Sequence, residues 1–390
     1  MTTPLKTLLL DRLARSGPIT FAQYMELCLY HPQHGYYMQE QPRTGTTGDY
    51  FTSSDLHPIF ARLVARQAAE MWEILGRSSR FTWVEMGASR GLFAVDFLRW
   101  AAKARPDFCA ALEYLVIEPG PRTRARLLNR IAKENFRGRF RALASLEELE
   151  PVIGCFFSNE LIDAFPVHVV TRSAGRLKEI YVAAEDDNLR EKLGPLSESA
   201  VAADVARYAN QLEEGCRAEV NRRAVQWIST VAEKLARGFV LTIDYGDLAE
   251  FLYTPARPRG TLVAYRGHTV SEDFYSAPGE QDLTAHVNFT ALMDAGKQAG
   301  LDAVGFTTQE RFLMALGEVN GFADLDEPGQ TEAERLDARL RLKRLIFPGD
   351  FEGARGMGTI FKVLVQSRNV DRPQLTGLKF ARRDPSLRSG

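Results

Sequence analysis

"TWVEMGASRGLFAVDFLRW", Thr82 to Trp100, joins an apolar run to an amphipathic one through a turn holding two glycines, Gly87 and Gly91. It reads as strand, tight turn and helix, the way a nucleotide-type pocket opens in an α/β sheet. A dinucleotide fingerprint, G-x-G-x-x-G, would need glycine where this sequence has Ser89 and Leu92. The lysine of a phosphate-cradling loop is also absent. The turn therefore suits a ligand that brings no phosphate to it, and NAD-dependent chemistry is set aside.

Two carboxylates sharpen this. Glu85 lies two positions before the turn, and Glu118 ends the next apolar run, "YLVIEPG". A carboxylate at the end of the second strand is where ribose hydroxyls donate hydrogen bonds in this architecture. A carboxylate beside the turn repels phosphate and attracts an amino group. Ribose plus ammonium without phosphate describes S-adenosylmethionine. The plainer readings stay open at this stage: Glu85 as a surface charge, Glu118 as an anion at a helix N-terminus.

A third strand end lies in "GCFFSNELIDAFP", which turns abruptly polar at Ser158, Asn159, Glu160 and Asp163. In open α/β sheets the ligand sits outside the carboxyl ends of the strands. If a helix follows, Ser158 or Asn159 caps it, and Glu160 and Asp163, three apart, share a face.

Working outward, "FTWVEMG", "LEYLVIE", "GRFRALASL", "GCFFSNEL" and "GFVLTIDYG" are short apolar runs, most of them separated by helical patterns. That alternation predicts an α/β fold with a largely parallel sheet covered by helices on both faces. Residues 1–80 read as an N-terminal helical segment, with Thr20 and Gln23 in capping-box spacing. It carries a polar, glycine-rich loop, "RTGTTGDYFTSS", that is either a connector or a pocket wall. The core is expected over 81–367, with insertions at 167–237 and 247–286, and a disordered polar tail over 368–390.

The bulk properties exclude several classes. The chain has 390 residues and a net charge of −1, so no global field favours nucleic acid or anionic lipid. No apolar run is long enough to span a bilayer. Four scattered cysteines with no CxxC fit a reducing compartment. His31 and His34 are the only close histidine pair and lie in a Pro/Gly turn, so no metal site is expected.

The stretches "HPQHGYY", "GDYFTSS", "VEMGASRG", "IEPGP", "SNELIDAFPVH", "LTIDYG", "GTLVAYRGHTV", "PGEQDLTAHVNF" and "GTIFKVLVQS" run in order from His31 to Ser367. In them the chain resembles the MidA-type methyltransferases, a family that includes a mitochondrial complex I assembly factor that methylates an arginine. The resemblance implies a Rossmann-like class I methyltransferase core, a largely parallel seven-stranded sheet whose last strand runs antiparallel. It implies S-adenosyl-L-methionine as cofactor, with roles at Gly87, Gly91, Glu118, Ser158 and Asn159, and a pocket roof over 49–53 that includes Thr52 and Ser53. The usual family turn, G-P-G-R-G, here has Ala88 and Ser89 in place of Pro and Gly, and a "TSPE"-like segment reads "TSSD".

The expected reaction is methyl transfer to an arginine of a protein. Glu160 and Asp163 are the candidates to hold the guanidinium by charge-assisted hydrogen bonds, and His286 is the candidate proton acceptor. A small-molecule O- or N-methyltransferase and a non-catalytic assembly factor that keeps the fold are the alternatives. The expected compartment is the bacterial cytoplasm, or the mitochondrial matrix for a processed chain.

Overall fold

The computed structural model describes residues 3–39, 49, 53–134, 136, 140–347 and 356–381. The chain forms two compact units. One comprises Met1–Tyr50, Ile162–Trp227 and Tyr245–Asp294; the other comprises Phe51–Leu161, Ile228–Asp244 and Ala295–Gly390.

The second unit carries the main sheet. Its strands are β1 (Phe81–Met86), β2 (Leu112–Ile117), β3 (Phe140–Leu143), β4 (Val152–Asn159), β5 (Leu235–Asp247), β6 (Asp302–Thr308) and β7 (Phe361–Arg368). Their order is β6-β7-β5-β4-β1-β2-β3. The pairs β1–β2, β1–β4, β2–β3 and β4–β5 are parallel, and β7 runs antiparallel to β6. The last residues of β5, Gly246 and Asp247, belong to the first unit and pair in parallel there with Val287–Asn288. The order reverses between β1 and β4, and such a switch point opens a crevice beyond the strand tips.

The apolar runs are continuous because both sheet faces are covered. Every residue of β1 is buried. Helices α1 (Ile59–Ile74) and α2 (Leu92–Ala104) each bury a broad stripe. Phe93 of α2 stacks on Phe157 of β4 with centroids 4.6 Å apart, and Phe97 lies 4.8 Å from Trp83. Aromatic contacts of this kind add about 0.5–1.5 kcal/mol beyond the area they bury. Helix α3 (Pro121–Ala132) presents Leu127 and Ile131 inward and its arginines outward, as expected of a solvated basic face.

A four-residue helical turn, Ser53–Leu56, precedes α1, which starts after Pro58. One expectation needs correction here. The tail is ordered as far as Ala381: Thr376 donates its N–H to Glu70 and Gly377 to Gln67 Oε1. The rest of the expected disordered tail, 382–390, lies outside the described residues.

The first unit is built on helices Pro4–Ser16 and Phe21–Tyr30 and on antiparallel sheets. Leu5, Leu9 and Leu13 recur every fourth residue and pack with Tyr24, Met25 and Cys28. The Thr20–Gln23 capping box is present in both directions. The expected strand-rich insertion forms a meander of His168–Ser173, Arg176–Glu185 and Asn188–Gly194, joined by Arg217–Val220. The Gly/Pro/Tyr-rich stretch after Asp247, which shows little periodicity, folds partly as a three-stranded sheet of Val263–Arg266, Thr269–Ser271 and Asp282–Thr284.

Candidate functional site

At the tip of β1 the chain turns on Gly87 (φ +74°), Ser89 (φ +46°) and Gly91 (φ +72°). Both glycines are required. A side chain on Gly91 would run into Leu127 of α3, and one on Gly87 would meet Leu161 Cδ1 at 3.0 Å. The turn is tied down by Gly87 N–H to Ile117 O (3.0 Å) and Gly91 N–H to Ala88 O (2.8 Å). Helix α2 then starts at a left-handed Gly91 with no side-chain cap, so its first-turn donors remain uncapped by side chains.

Glu85 lies beneath this turn, 4% exposed, and its Oε2 accepts the Tyr114 hydroxyl at 2.7 Å. Burial pushes its carboxyl up to about 7; the tyrosine hydrogen bond opposes this and the Glu118 charge adds to it. Glu118 stands at the end of β2 with its Oε1 accepting Gly120 N–H at 3.1 Å. Burial raises its carboxyl too, while the N–H groups of Gly120 and Ser89 and the Arg124 charge pull it back. The altered position Ser89 thus donates from its backbone to the carboxylate expected to meet ribose.

At the tip of β4, Ser158 is 1% exposed. Ser158 Oγ and Asn159 Oδ1 are buried and have no hydrogen-bond partner among the described residues. Buried polar atoms left this way cost about 1–3 kcal/mol each unless something satisfies them. Glu160 follows with φ +51°, a left-handed conformation that a non-glycine residue rarely adopts. Its N–H reaches Ile243 O at 3.0 Å. Its Oε1 accepts Ser53 N–H at 2.9 Å and Asn159 Nδ2 at 3.0 Å. Ser53 is fully buried, and its hydroxyl lies 3.4 Å from Gln309 Oε1 at the start of the helix after β6. Thr52 lies outside the described residues.

The expected helical pairing of Glu160 with Asp163 does not occur. No helix follows β4, Ser158 and Asn159 are strand residues rather than caps, and the left-handed turn at Glu160 breaks the helical spacing. Asp163 belongs to the first unit, where it is 5% exposed and its carbonyl accepts Ala285 N–H at 2.9 Å. His286 is in the same unit, half-buried, with its N–H on Thr261 Oγ1 at 3.0 Å. Thr261 is in turn held by the buried Glu219 carboxylate, which takes its N–H and O–H. Asp49 accepts Tyr36 Oη (2.7 Å), Gly267 N–H (2.6 Å) and, at its carbonyl, His268 N–H (2.9 Å).

Sequence reasoning missed Asp244, Gln309 and Tyr114. Asp244 was within reach, since "LTIDYG" turns polar at a strand tip as "FFSNE" does. Tyr114 and Gln309 carried no local signal, because their partners are distant in the chain.

These tips fit an adenosyl sulfonium. The unsatisfied Ser158 hydroxyl can donate or accept and the Asn159 amide oxygen can accept, Glu118 can take hydroxyls, and the glycine turn is backed by a leucine and a carboxylate. Groups of histidine, cysteine and carboxylates able to hold a metal are absent among the described residues.

Comparison with known proteins agrees. The chain is 28% identical over 361 residues to the mouse protein arginine methyltransferase NDUFAF7, mitochondrial, covering 85% of this chain and 79% of that one. It is 25% identical to the Drosophila melanogaster homologue over 388 residues, covering 92% and 84%. A crystal structure from Burkholderia thailandensis with S-adenosyl-homocysteine bound superposes with a TM-score of 0.86 at 32% identity, over 97% of this chain and 95% of that one. The pattern of an S-adenosyl-L-methionine-dependent methyltransferase family matches residues 63–307, and the chain belongs to that family, with the MidA-type proteins as its relatives.

Proposed function

We propose that the chain transfers a methyl group from S-adenosyl-L-methionine to a guanidinium nitrogen of a protein arginine. The observation that carries the cofactor half is the pair of buried, unsatisfied oxygens on Ser158 and Asn159 beside a turn that lacks the dinucleotide fingerprint. The acceptor half draws on the relatives named protein arginine methyltransferase and on the oriented Glu160 carboxylate.

When bound, the cofactor supplies an electrophilic methyl group on a sulfonium sulfur. Glu118 receives the ribose hydroxyls, Ser158 and Asn159 take its polar edges, and Gly87 and Gly91 supply the left-handed backbone of the turn beside it. Glu85 offers a carboxylate to the ammonium group, which favours its ionised form. Ser53 lies on the segment expected to roof the pocket.

Glu160 acts at the acceptor. Arginine is a poor nucleophile because its charge is delocalised over three nitrogens and its pKa exceeds ~12. A carboxylate accepting guanidinium N–H bonds draws that charge away from the attacking nitrogen. Two donors already fix Glu160 Oε1, so the group does not need to be ordered when substrate arrives. The attacking nitrogen gains a carbon as that carbon's bond to sulfur breaks with the electron pair left on sulfur, and it gives up a proton to the Glu160 carboxylate, which passes it to water. Asp163 and His286, in the other unit, are not needed for this step.

The test is transfer of a labelled methyl group to arginine-bearing proteins. Label recovered as methylarginine supports the reading. Calorimetry showing no affinity for S-adenosylmethionine, with NADH or ATP bound instead, would sink it.

A further inference from the structure

Asp244 is fully buried in β5, one residue past the end of its pairing with β4, and no step above uses it. It follows Ile243, which pairs in register with Asn159 of β4. Its Oδ2 accepts the Leu161 N–H at 3.2 Å. The preceding N–H, that of Glu160, is taken by Ile243 O at 3.0 Å. Two successive backbone donors around a left-handed residue form the concave donor pair that elsewhere receives phosphate oxygens. Here strand β5 occupies both, one with a carbonyl and one with a carboxylate. The same hold fixes Leu161, whose Cδ1 closes the space above Gly87.

We infer that Asp244 is a positioning residue for cofactor recognition: it seats Leu161 over the glycine turn and fills an anion-receiving corner with its own charge. The inference rests on the cofactor reading above and deepens it. It explains how a site shaped like a nucleotide pocket discriminates against phosphate. Leu161 Cδ1 lies against the turn, and of the two donors around Glu160 the Ile243 carbonyl takes one and the Asp244 carboxylate the other. A sulfonium, whose charge is spread over carbon-bound substituents, tolerates an apolar wall that a phosphate does not.

The experiment uses the full chain and S-adenosylmethionine titrated by calorimetry, with thermal unfolding as the check on folding. Asp244→Ala is expected to weaken binding about tenfold, and Leu161→Ala by a similar factor. The double variant is expected to show about the same tenfold loss, because both changes remove one arrangement. Asp244→Asn keeps an acceptor oxygen for Leu161 N–H and is expected within about threefold of wild type. An approximately hundredfold loss in the double variant would show independent effects and overturn the inference. Should Asp244→Ala fail to fold, Leu161→Ala and Asp244→Asn decide: wild-type affinity in the first, or a tenfold loss in the second, overturns it. Wild-type protein that binds no S-adenosylmethionine would instead refute the cofactor reading itself.

Discussion

The tips of β1 and β4 are neighbours across the switch point, and they reverse the chain by different means. After β1 the positive φ angles fall mainly on glycines, and neighbouring side chains fill the space those glycines leave. After β4 the positive φ falls on a glutamate, held by its own N–H on Ile243 and by Ser53 and Asn159 on its carboxylate. The first tip is permissive backbone shaped to admit a ligand. The second is a strained residue over-determined by its surroundings, the pattern found where a side chain must be aimed. The difference separates binding from chemistry: damage at β1 should show in cofactor affinity, damage at β4 in turnover.

The sharpest way to break that division is Glu160→Gln. The amide keeps an acceptor oxygen for Ser53 N–H but loses the charge. The expected result is a fall in kcat of about 10²–10³-fold with S-adenosylmethionine affinity changed by less than about threefold. Unchanged turnover would remove Glu160 from the reaction and leave it as an anchor for Ser53. At the other tip, Gly87→Val places a branched side chain at φ +74° and against Leu161. A cost of about 2–3 kcal/mol is expected, read as a roughly 30- to 150-fold weaker cofactor Kd in calorimetry. Equal loss of affinity in both variants would erase the distinction between the tips.

The two tips also differ in how far they could be read from sequence. The β1 turn is local: an all-apolar strand, two glycines and an amphipathic helix within one short stretch. The β4 tip looked local and was not. Ser158 to Asp163 has the composition of a capped helix start, yet the donors that would begin that helix are captured by Ile243 and Asp244 of β5, far along the chain. No spacing rule within "SNELID" announces that capture. The same holds for Glu85, legible as a carboxylate near the turn but not as the partner of Tyr114. The strand alternation that revealed the parallel sheet was robust because burial on both faces imposes it residue by residue. The ordered tail was missed because its anchors, Glu70 and Gln67, lie on α1.

Glu85 sharpens the comparison through pH. Its folded-state pKa, about 7, lies above the ordinary 4.5, so the native state holds a proton that the unfolded chain has released. Stability from this group is complete below about pH 4.5 and declines as pH rises toward 7. Above that, the fold carries an ionised buried carboxylate at a cost of about 3 kcal/mol. Glu85→Gln removes the titration while preserving an acceptor for Tyr114. Urea unfolding at pH 5 and pH 8 is expected to find the variant more stable than wild type by about 2–3 kcal/mol at pH 8, with most of that gap gone at pH 5. A gap independent of pH would mean that Glu85 does not titrate in this range. Because the group also offers its charge to the cofactor ammonium, the variant is expected to gain stability and lose affinity together.

The smallest expected effect tests whether Ser89 makes the β1 tip resemble the β4 tip. Ser89 is a non-glycine residue at φ +46°. A left-handed conformation costs a side-chain-bearing residue about 1–2 kcal/mol, while glycine gives back about 0.5–1 kcal/mol through the freer unfolded chain. Ser89→Gly is therefore expected to stabilise by about 0.5 kcal/mol, a shift of about half a degree in Tm for a chain of this size. The Ser89 contribution to Glu118 comes from its backbone N–H, which glycine retains. Cofactor affinity should then move by less than about twofold. A tenfold gain in affinity would mean that strain at Ser89 was being spent against the cofactor, and that the β1 tip, like the β4 tip, is held in place rather than simply permitted.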